Sequence, residues 1–119
     1  MRLLLIVNHG PWGSTHAAAA LRLGRAADAV GLSLAAVYFQ GDGVYHALAG
    51  AGSDPGAEDL HRAWAELAER CGAELLLCSA AAERRLPASV IQNPPAAYRL
   101  AGLATMLERL QRCDRVVTF

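Results

Sequence analysis

A single α/β domain spanning residues 1–119, with a mainly parallel β-sheet and helices on both faces, is the fold class that this sequence predicts. Short apolar runs alternate along the chain with longer amphipathic stretches. The apolar runs are continuous and do not alternate with polar residues, which indicates strands buried on both faces of a sheet. The length of 119 residues suits one hydrophobic core and leaves no room for a second domain.

The first half of the chain supplies two strands and the helix between them. Residues 2–7 (RLLLIV) predict the first strand, because a turn-forming segment, NHGP, closes this apolar run. Residues 14–30 carry their apolar side chains on one helical face, and Gly31 can end that helix. Residues 32–39 (LSLAAVYF) predict the second strand, which the turn-rich sequence QGDG closes.

The second half predicts a loop and four further elements. The composition of residues 49–57 is that of a mobile loop, and residues 58–71 form an amphipathic helix. Residues 73–79 predict the third strand, residues 96–112 a long helix and residues 114–119 a last strand. Strands alternating with helices build right-handed βαβ units, so we expect a flavodoxin-like or Rossmann-like layered structure.

Composition and charge exclude several kinds of partner. The formal net charge is zero, and no basic run is present, which argues against direct binding of nucleic acid. The apolar run at the start is too short for a signal peptide, and no stretch reaches the roughly 20 apolar residues of a membrane span. We therefore expect a cytoplasmic protein without a membrane partner. With 54% hydrophobic residues, some apolar surface is expected to cover a subunit interface.

Three segments are predicted to meet at one edge of the sheet. They follow the first three strands, and ligands of parallel α/β sheets bind beyond the carboxyl ends of the strands. The segments are residues 8–13 (NHGPWG), residues 41–46 (GDGVYH) and Cys78-Ser79. The sequence HGPWGST precedes a helix, but it lacks the lysine of a P-loop and the G-x-G-x-x-G pattern, so it is a weak phosphate-site signal.

Cys78 is the leading candidate for chemistry. Three cysteines without a C-x-x-C pair are typical of reduced thiols, not of a disulfide framework or a zinc site. A thiol at the end of a strand, just before a helix, meets backbone N–H groups that favour the thiolate, and Arg84 or Arg85 could add to this effect. The alternative is a small core cysteine, which is the interpretation we favour for Cys71 and Cys113.

The histidines give a weaker signal. His9 and His46 are expected at the same edge as Cys78, where they could exchange a proton with a sulfur species, or could simply stabilise the loops. His16 and His61 lie in or beside helices on polar ground, so we expect them to be solvated. The four histidines show no spacing typical of metal ligands, and no metal site is predicted.

Beyond these local signals, the chain resembles the DsrE/TusD family of sulfur-relay proteins over nearly its whole length. Five stretches carry the resemblance: LLLIVNHGPWGSTHAAAAL, VYFQGDGVYHAL, DLHRAWAEL, LLLCSAAAERR and LAGLATMLERLQRCDRVVTF. Their order and spacing are specific, although no single motif is diagnostic. One departure is the proline-rich segment 86–96 (LPASVIQNPPA), which is shorter than the corresponding stretch of its relatives.

The resemblance implies a sulfurtransferase without a cofactor. Cys78 matches the active cysteine of the family, which accepts sulfane sulfur as a persulfide and passes it to a cysteine of a partner. It also implies a hetero-oligomer with TusC/DsrF-like and TusB/DsrH-like subunits, a TusA-like sulfur donor and a TusE/DsrC-like acceptor. The relay could serve tRNA 2-thiouridine synthesis or dissimilatory sulfur oxidation. The alternatives are a non-catalytic scaffold subunit of such a complex and a small-ligand-binding α/β module.

Overall fold

The computed structural model describes residues 1–13, 15–50 and 57–119, and in these residues five strands form one parallel sheet. The strands are β1 (Arg2–Val7), β2 (Ser33–Phe39), β3 (Glu74–Cys78), β4 (Tyr98–Ala101) and β5 (Arg115–Thr118). Their order across the sheet is β4-β3-β2-β1-β5. Strands β1 to β4 are therefore added in one direction across the sheet, and β5 is added on the other side of β1. The short strands β4 and β5 form the two edges. The predicted parallel α/β class is confirmed.

The helices cover the two faces of the sheet unequally. They are α1 (His16–Ala29), α2 (Leu60–Cys71), α3 (Ser79–Arg85), α4 (Ala88–Gln92) and α5 (Leu103–Gln111), and a 3₁₀ segment, Gly41–Ala47, follows β2. Buried residues of α1, α2 and α3 pack with one side of the strands, which we call the first face. On the opposite side, the second face, Met106 of α5 packs against the strands.

Most of the core lies on the first face. Alternate residues of β1 point to it, and they meet the apolar stripes of α1 and α2. Trp64 and Phe39, both fully buried, pack edge to face with ring centroids 5.5 Å apart. Within the part of the chain that the structure describes, the cluster on the second face has five buried members: Leu4, Ala36, Tyr38, Leu76 and Ala101.

The 3₁₀ segment approaches the end of β1 very closely at Gly43. A Cβ atom at this position would overlap the carbonyl oxygen of Val7, so only glycine fits there without a backbone shift. The N–H of Gly43 donates to the carbonyl of Gln40 over 2.9 Å, which closes the turn after β2. This contact fixes the segment after β2 against the carboxyl end of β1.

One predicted element is wrong. In place of a single helix over residues 96–112, the chain forms β4, a break at Gly102 and then α5. Tyr98 pairs with Leu75 in the sheet, and its side chain is buried. The apolar stripe of that predicted helix includes Leu103 and Leu107, and both are exposed in the structure. An edge strand of four residues is too short to show a strand period of its own, so the following helix dominated the pattern.

The remaining predicted elements agree with the structure to within a few residues. Helix α2 ends at Gly72, which adopts the left-handed conformation (φ 79°) expected of a glycine after a helix. Strand β3 ends one residue earlier than predicted, because Ser79 already begins α3. Ser14, the predicted first residue of α1, lies outside the described residues, as does most of the predicted loop at residues 49–57.

Candidate functional site

The three predicted segments do meet at the carboxyl edge of the sheet. The loop after β1 contacts the 3₁₀ segment, since Nε2 of His46 lies 3.0 Å from the carbonyl oxygen of His9. The 3₁₀ segment in turn contacts α3, since Arg85 Nε lies 3.0 Å from Asp42 Oδ1. Because β1, β2 and β3 are neighbours in a parallel sheet, the three segments that follow them lie at one edge, and these contacts join them to one another.

Cys78 is both the last residue of β3 and the N-cap residue of α3. Its backbone leaves the strand with φ −55° and ψ 116°, and its Cα pairs with that of Ala101 on β4. The residue is partly exposed and packs against the clusters of both faces. Its thiol is free. Cys78 is therefore an unpaired, partly exposed cysteine at the sheet edge and not a fully buried core residue.

Tyr38 on β2 is a neighbour of Cys78 that the sequence did not single out. It lies in the second-face cluster, against which Cys78 also packs. Burial, together with the neighbouring Cys78 side chain, raises the pKa of the Tyr38 hydroxyl above its ordinary value. The strand pattern alone identified Tyr38 only as an apolar strand residue. The register of β2 against β3 would have identified it, because Tyr38 pairs with Leu76, two residues before Cys78.

His46 lies behind the site and not in it. It is fully buried, and its ring packs against Phe39 and Trp64 of the first-face core. A carbonyl can only accept, so Nε2 carries the proton that it donates to His9, while Nδ1 is buried and has no hydrogen-bond partner among the described residues. Burial lowers the pKa of His46 from 6.5 to about 4. The ring is therefore neutral at physiological pH.

The other histidines also make contacts that join elements of the fold. The ring of His9 stacks on that of His16, with centroids 4.3 Å apart. His61 was expected to be solvated, and this is wrong: it is half-buried and stacks on Tyr98 at 5.1 Å. Nδ1 of His61 donates to the carbonyl of His46 over 2.8 Å, and the Tyr98 hydroxyl donates to the carbonyl of His61 over 2.9 Å. These bonds connect the 3₁₀ segment to α2, and α2 to β4.

The two candidate arginines have different surroundings. Arg85 is half-buried and forms its ion pair with Asp42, so its charge is balanced within the site. Arg84 is exposed on α3. Both lie in the last turn of α3, where positive charge complements the helix dipole. Their visible role is thus to stabilise α3 and to attach it to the 3₁₀ segment.

A small cavity of about 200 Å³ opens beside the loop after β1. It is lined by His9, Gly10, Trp12, Gly13 and Asp42. This is the HGPWGST segment that gave the weak phosphate-site signal. Thr15, at the N-cap of α1, makes no hydrogen bond through its side chain to the helix. Among the described residues, no group of three or more His, Cys, Asp or Glu side chains could hold a metal ion.

The fold and the site together define the class: a small parallel α/β protein that presents a partly exposed cysteine thiol at the carboxyl edge of its sheet. The chain belongs to the DsrE/DsrF-like family, whose model matches residues 1–119. Within the residues that the structure describes, no helix is both long and apolar enough to cross a bilayer.

Individual relatives narrow the class. The chain is 35% identical over 131 residues to a protein named sulfurtransferase TusD from Cronobacter sakazakii, with both chains fully covered. It is 34% identical over 124 residues to sulfurtransferase TusD of Sodalis glossinidius, covering 97% of this chain and 95% of the relative. The predicted family and the predicted class, a sulfurtransferase of the sulfur-relay type, are confirmed.

A solved structure supports the fold independently. The crystal structure of the ychN protein from E. coli superimposes with a TM-score of 0.81, covering 100% of this chain and 99% of that one. The two sequences are only 20% identical, so this similarity concerns the fold alone.

Proposed function

We propose that this protein carries sulfane sulfur as a persulfide on Cys78 and passes it to a cysteine of a partner protein. In the loading step, the Cys78 thiolate attacks the outer sulfur of a donor persulfide, and the donor leaves as a thiolate. In the unloading step, a partner thiolate attacks the outer sulfur on Cys78, and Cys78 leaves as a thiolate. Each step forms one S–S bond and breaks one, so neither requires an oxidant, a metal or a flavin.

One observation carries this proposal: Cys78 is an unpaired, partly exposed cysteine residue at the sheet edge, at the amino end of α3. Both transfer steps need a sulfur atom that another protein can reach, and a thiolate is the reactive form. Cys71 and Cys113 are also partly exposed, and each packs against one cluster, whereas Cys78 contacts both, so it is its position in the fold that distinguishes Cys78. Neither ends a strand of the sheet.

We further propose that the protein works in a hetero-oligomer. The relevant subunits are of the TusC/DsrF and TusB/DsrH types, with a TusA-like donor and a TusE/DsrC-like acceptor. Three large apolar side chains on α5 and β5 are exposed and support a subunit contact: Leu103, Leu107 and Val116. A cytoplasmic location suits this chemistry, because thiols stay reduced there.

The test is intact-mass spectrometry of the native protein after incubation with a persulfide donor. We expect the mass of one added sulfur atom, located on Cys78 by peptide mapping and removed by a reductant. Cys78→Ser should gain none. Cys71→Ser and Cys113→Ser are the matched controls, since each removes a half-exposed thiol, and both should still take up sulfur. An unchanged wild-type mass, or sulfur found only on Cys71 or Cys113, would favour the scaffold alternative.

A further inference from the structure

Strand register brings Tyr38 and Cys78 to the same face of the sheet. Tyr38 on β2 is the pairing partner of Leu76 on β3. Side chains alternate along a strand, so Cys78, two residues beyond Leu76, points to the face that Leu76 and Tyr38 share. Neighbouring strands lie about 4.8 Å apart and rise about 3.3 Å per residue, so residues offset by two on adjacent strands are about 8 Å apart, which a tyrosine side chain can span. Tyr38 can therefore extend along the second face towards the carboxyl edge, where Cys78 lies.

The surroundings of Tyr38 determine which partner would donate in a hydrogen bond to Cys78. Only 2% of Tyr38 is exposed, and the residue belongs to the second-face cluster. Burial and the neighbouring Cys78 side chain raise the pKa of the hydroxyl, which keeps it protonated at physiological pH. A protonated hydroxyl donates, and a thiolate only accepts.

We propose that Tyr38 is a second functional residue of the site, whose hydroxyl donates a hydrogen bond to Sγ of Cys78 and stabilises the thiolate. This inference rests on the proposed persulfide function for its biological meaning. The donor is neutral and packed in the second-face cluster, and the residue Cys78 is partly exposed. No such donor is visible in the sequence, because the pairing of β2 with β3 sets the contact.

The hydrogen bond would act in both transfer steps. During loading it stabilises the attacking thiolate. During unloading the partner thiolate bonds to the outer sulfur, the bond from that sulfur to Sγ breaks, and the electron pair passes to Sγ. Tyr38 donates to this developing negative charge while keeping its own proton, so the atoms and charges of the exchange balance without it.

The test compares Tyr38→Phe with the wild-type chain. Phenylalanine keeps the buried ring and removes only the hydroxyl. The measurement is the rate at which iodoacetamide alkylates Cys78 in the native protein between pH 5 and 10, read by peptide mapping. We expect the rate at pH 7 to fall about tenfold, because loss of a hydrogen bond to the charged form lowers the thiolate population, and the higher nucleophilicity of the unbonded thiolate offsets only part of that loss. At alkaline pH, where both thiols are ionised, Tyr38→Phe should react at least as fast as wild type.

Two controls separate this effect from loosened packing. Tyr98→Phe also removes a buried tyrosine hydroxyl with a hydrogen bond, but that bond goes to His61. It should leave the Cys78 profile unchanged. Cys113 packs against the same cluster as Tyr38, so its labelling in the same digest reports on local opening.

The possible outcomes are distinct. A profile displaced to higher pH in Tyr38→Phe, with Tyr98→Phe and Cys113 labelling unchanged, supports the proposal. Profiles that coincide at all pH values overturn it, as does a change in Cys78 that Tyr98→Phe or Cys113 labelling reproduces. Alkylation needs no sulfur donor, so this result stands even if wild-type Cys78 takes up no sulfur. Failure of sulfur loading would instead overturn the proposed function.

Discussion

The helices on the two faces of the sheet are held to it by different kinds of interaction. On the first face, the apolar sides of α1, α2 and α3 build a continuous core that includes Trp64 and Phe39. On the second face, α5 has no fully buried residue and contacts only a small cluster. Part of its attachment is ionic: Arg109 donates two hydrogen bonds to Glu74 of β3, over 2.5 and 3.1 Å.

This difference separates stability from function. The first face buries most of the apolar area and so supplies most of the folding free energy. The second face can then leave Leu103 and Leu107 of α5 exposed and still hold Tyr38 beside Cys78. The reactive cysteine lies at the boundary, in contact with both clusters. The following predictions test whether the two faces differ in this way.

The largest expected effect is on the first face. Trp64→Ala removes a fully buried ring and should lower the free energy of unfolding by about 3–5 kcal/mol. Met106→Ala on α5 removes a half-buried side chain and should cost about 1 kcal/mol. Urea denaturation followed by circular dichroism measures both. The exposed Leu103→Ala is the control and should stay within about 0.5 kcal/mol of wild type. Equal losses for Trp64→Ala and Met106→Ala would contradict the comparison.

The second prediction concerns His46 in the first-face core. Its pKa is about 4 in the folded protein against an ordinary 6.5, so the unfolded chain binds the proton more readily. Its contribution to stability is complete above about pH 6.5 and is lost progressively as the pH falls towards about 4, by up to about 3 kcal/mol. The physical cause is that a proton on Nδ1 would place a charge in a site without a hydrogen-bond partner.

The matching measurement is the free energy of unfolding from pH 7 to 4 for wild type, His46→Gln and Val44→Ala. Acidic groups also titrate in this range, so the difference between wild type and His46→Gln isolates the histidine. We expect that difference to change with pH. Val44, fully buried in the same 3₁₀ segment, cannot titrate, so its variant should run parallel to wild type. A constant difference for His46→Gln would refute the prediction.

The elements that the sequence predicts correctly are those with a clear local pattern of apolar residues. Buried strands β1, β2 and β3 are continuous apolar runs, and α2 has a clear stripe and a glycine stop. Strand β4 shows neither a continuous apolar run nor a helical stripe. It has four residues, pairs with a single neighbour at the edge of the sheet and carries the exposed Arg99. Its existence follows from tertiary pairing with β3, which no local pattern encodes.

The residues of the candidate site likewise differ in whether the sequence alone predicts their position. Cys78 is predictable because the end of a buried strand in a parallel sheet always reaches the same edge. His46 and Tyr38 are not, because each role depends on packing between elements. A histidine after a strand can face the edge or turn into the core, and here the close approach of Gly43 to Val7 fixes its segment against β1. Tyr38 became a neighbour of Cys78 only once the register of β2 and β3 was known.

The smallest expected effect is on the ionic contact of the second face. Arg109 holds the pKa of Glu74 below its ordinary value through its hydrogen bonds to the carboxylate. Both side chains are partly exposed, so Glu74→Gln should shift the urea midpoint less than Trp64→Ala does, and about half or more of the shift should disappear in 1 M salt. Exposed Glu69→Gln is the control for loss of a negative charge. A shift as large as that of Trp64→Ala, or one that salt leaves unchanged, would mean that α5 is held as firmly as the helices of the first face.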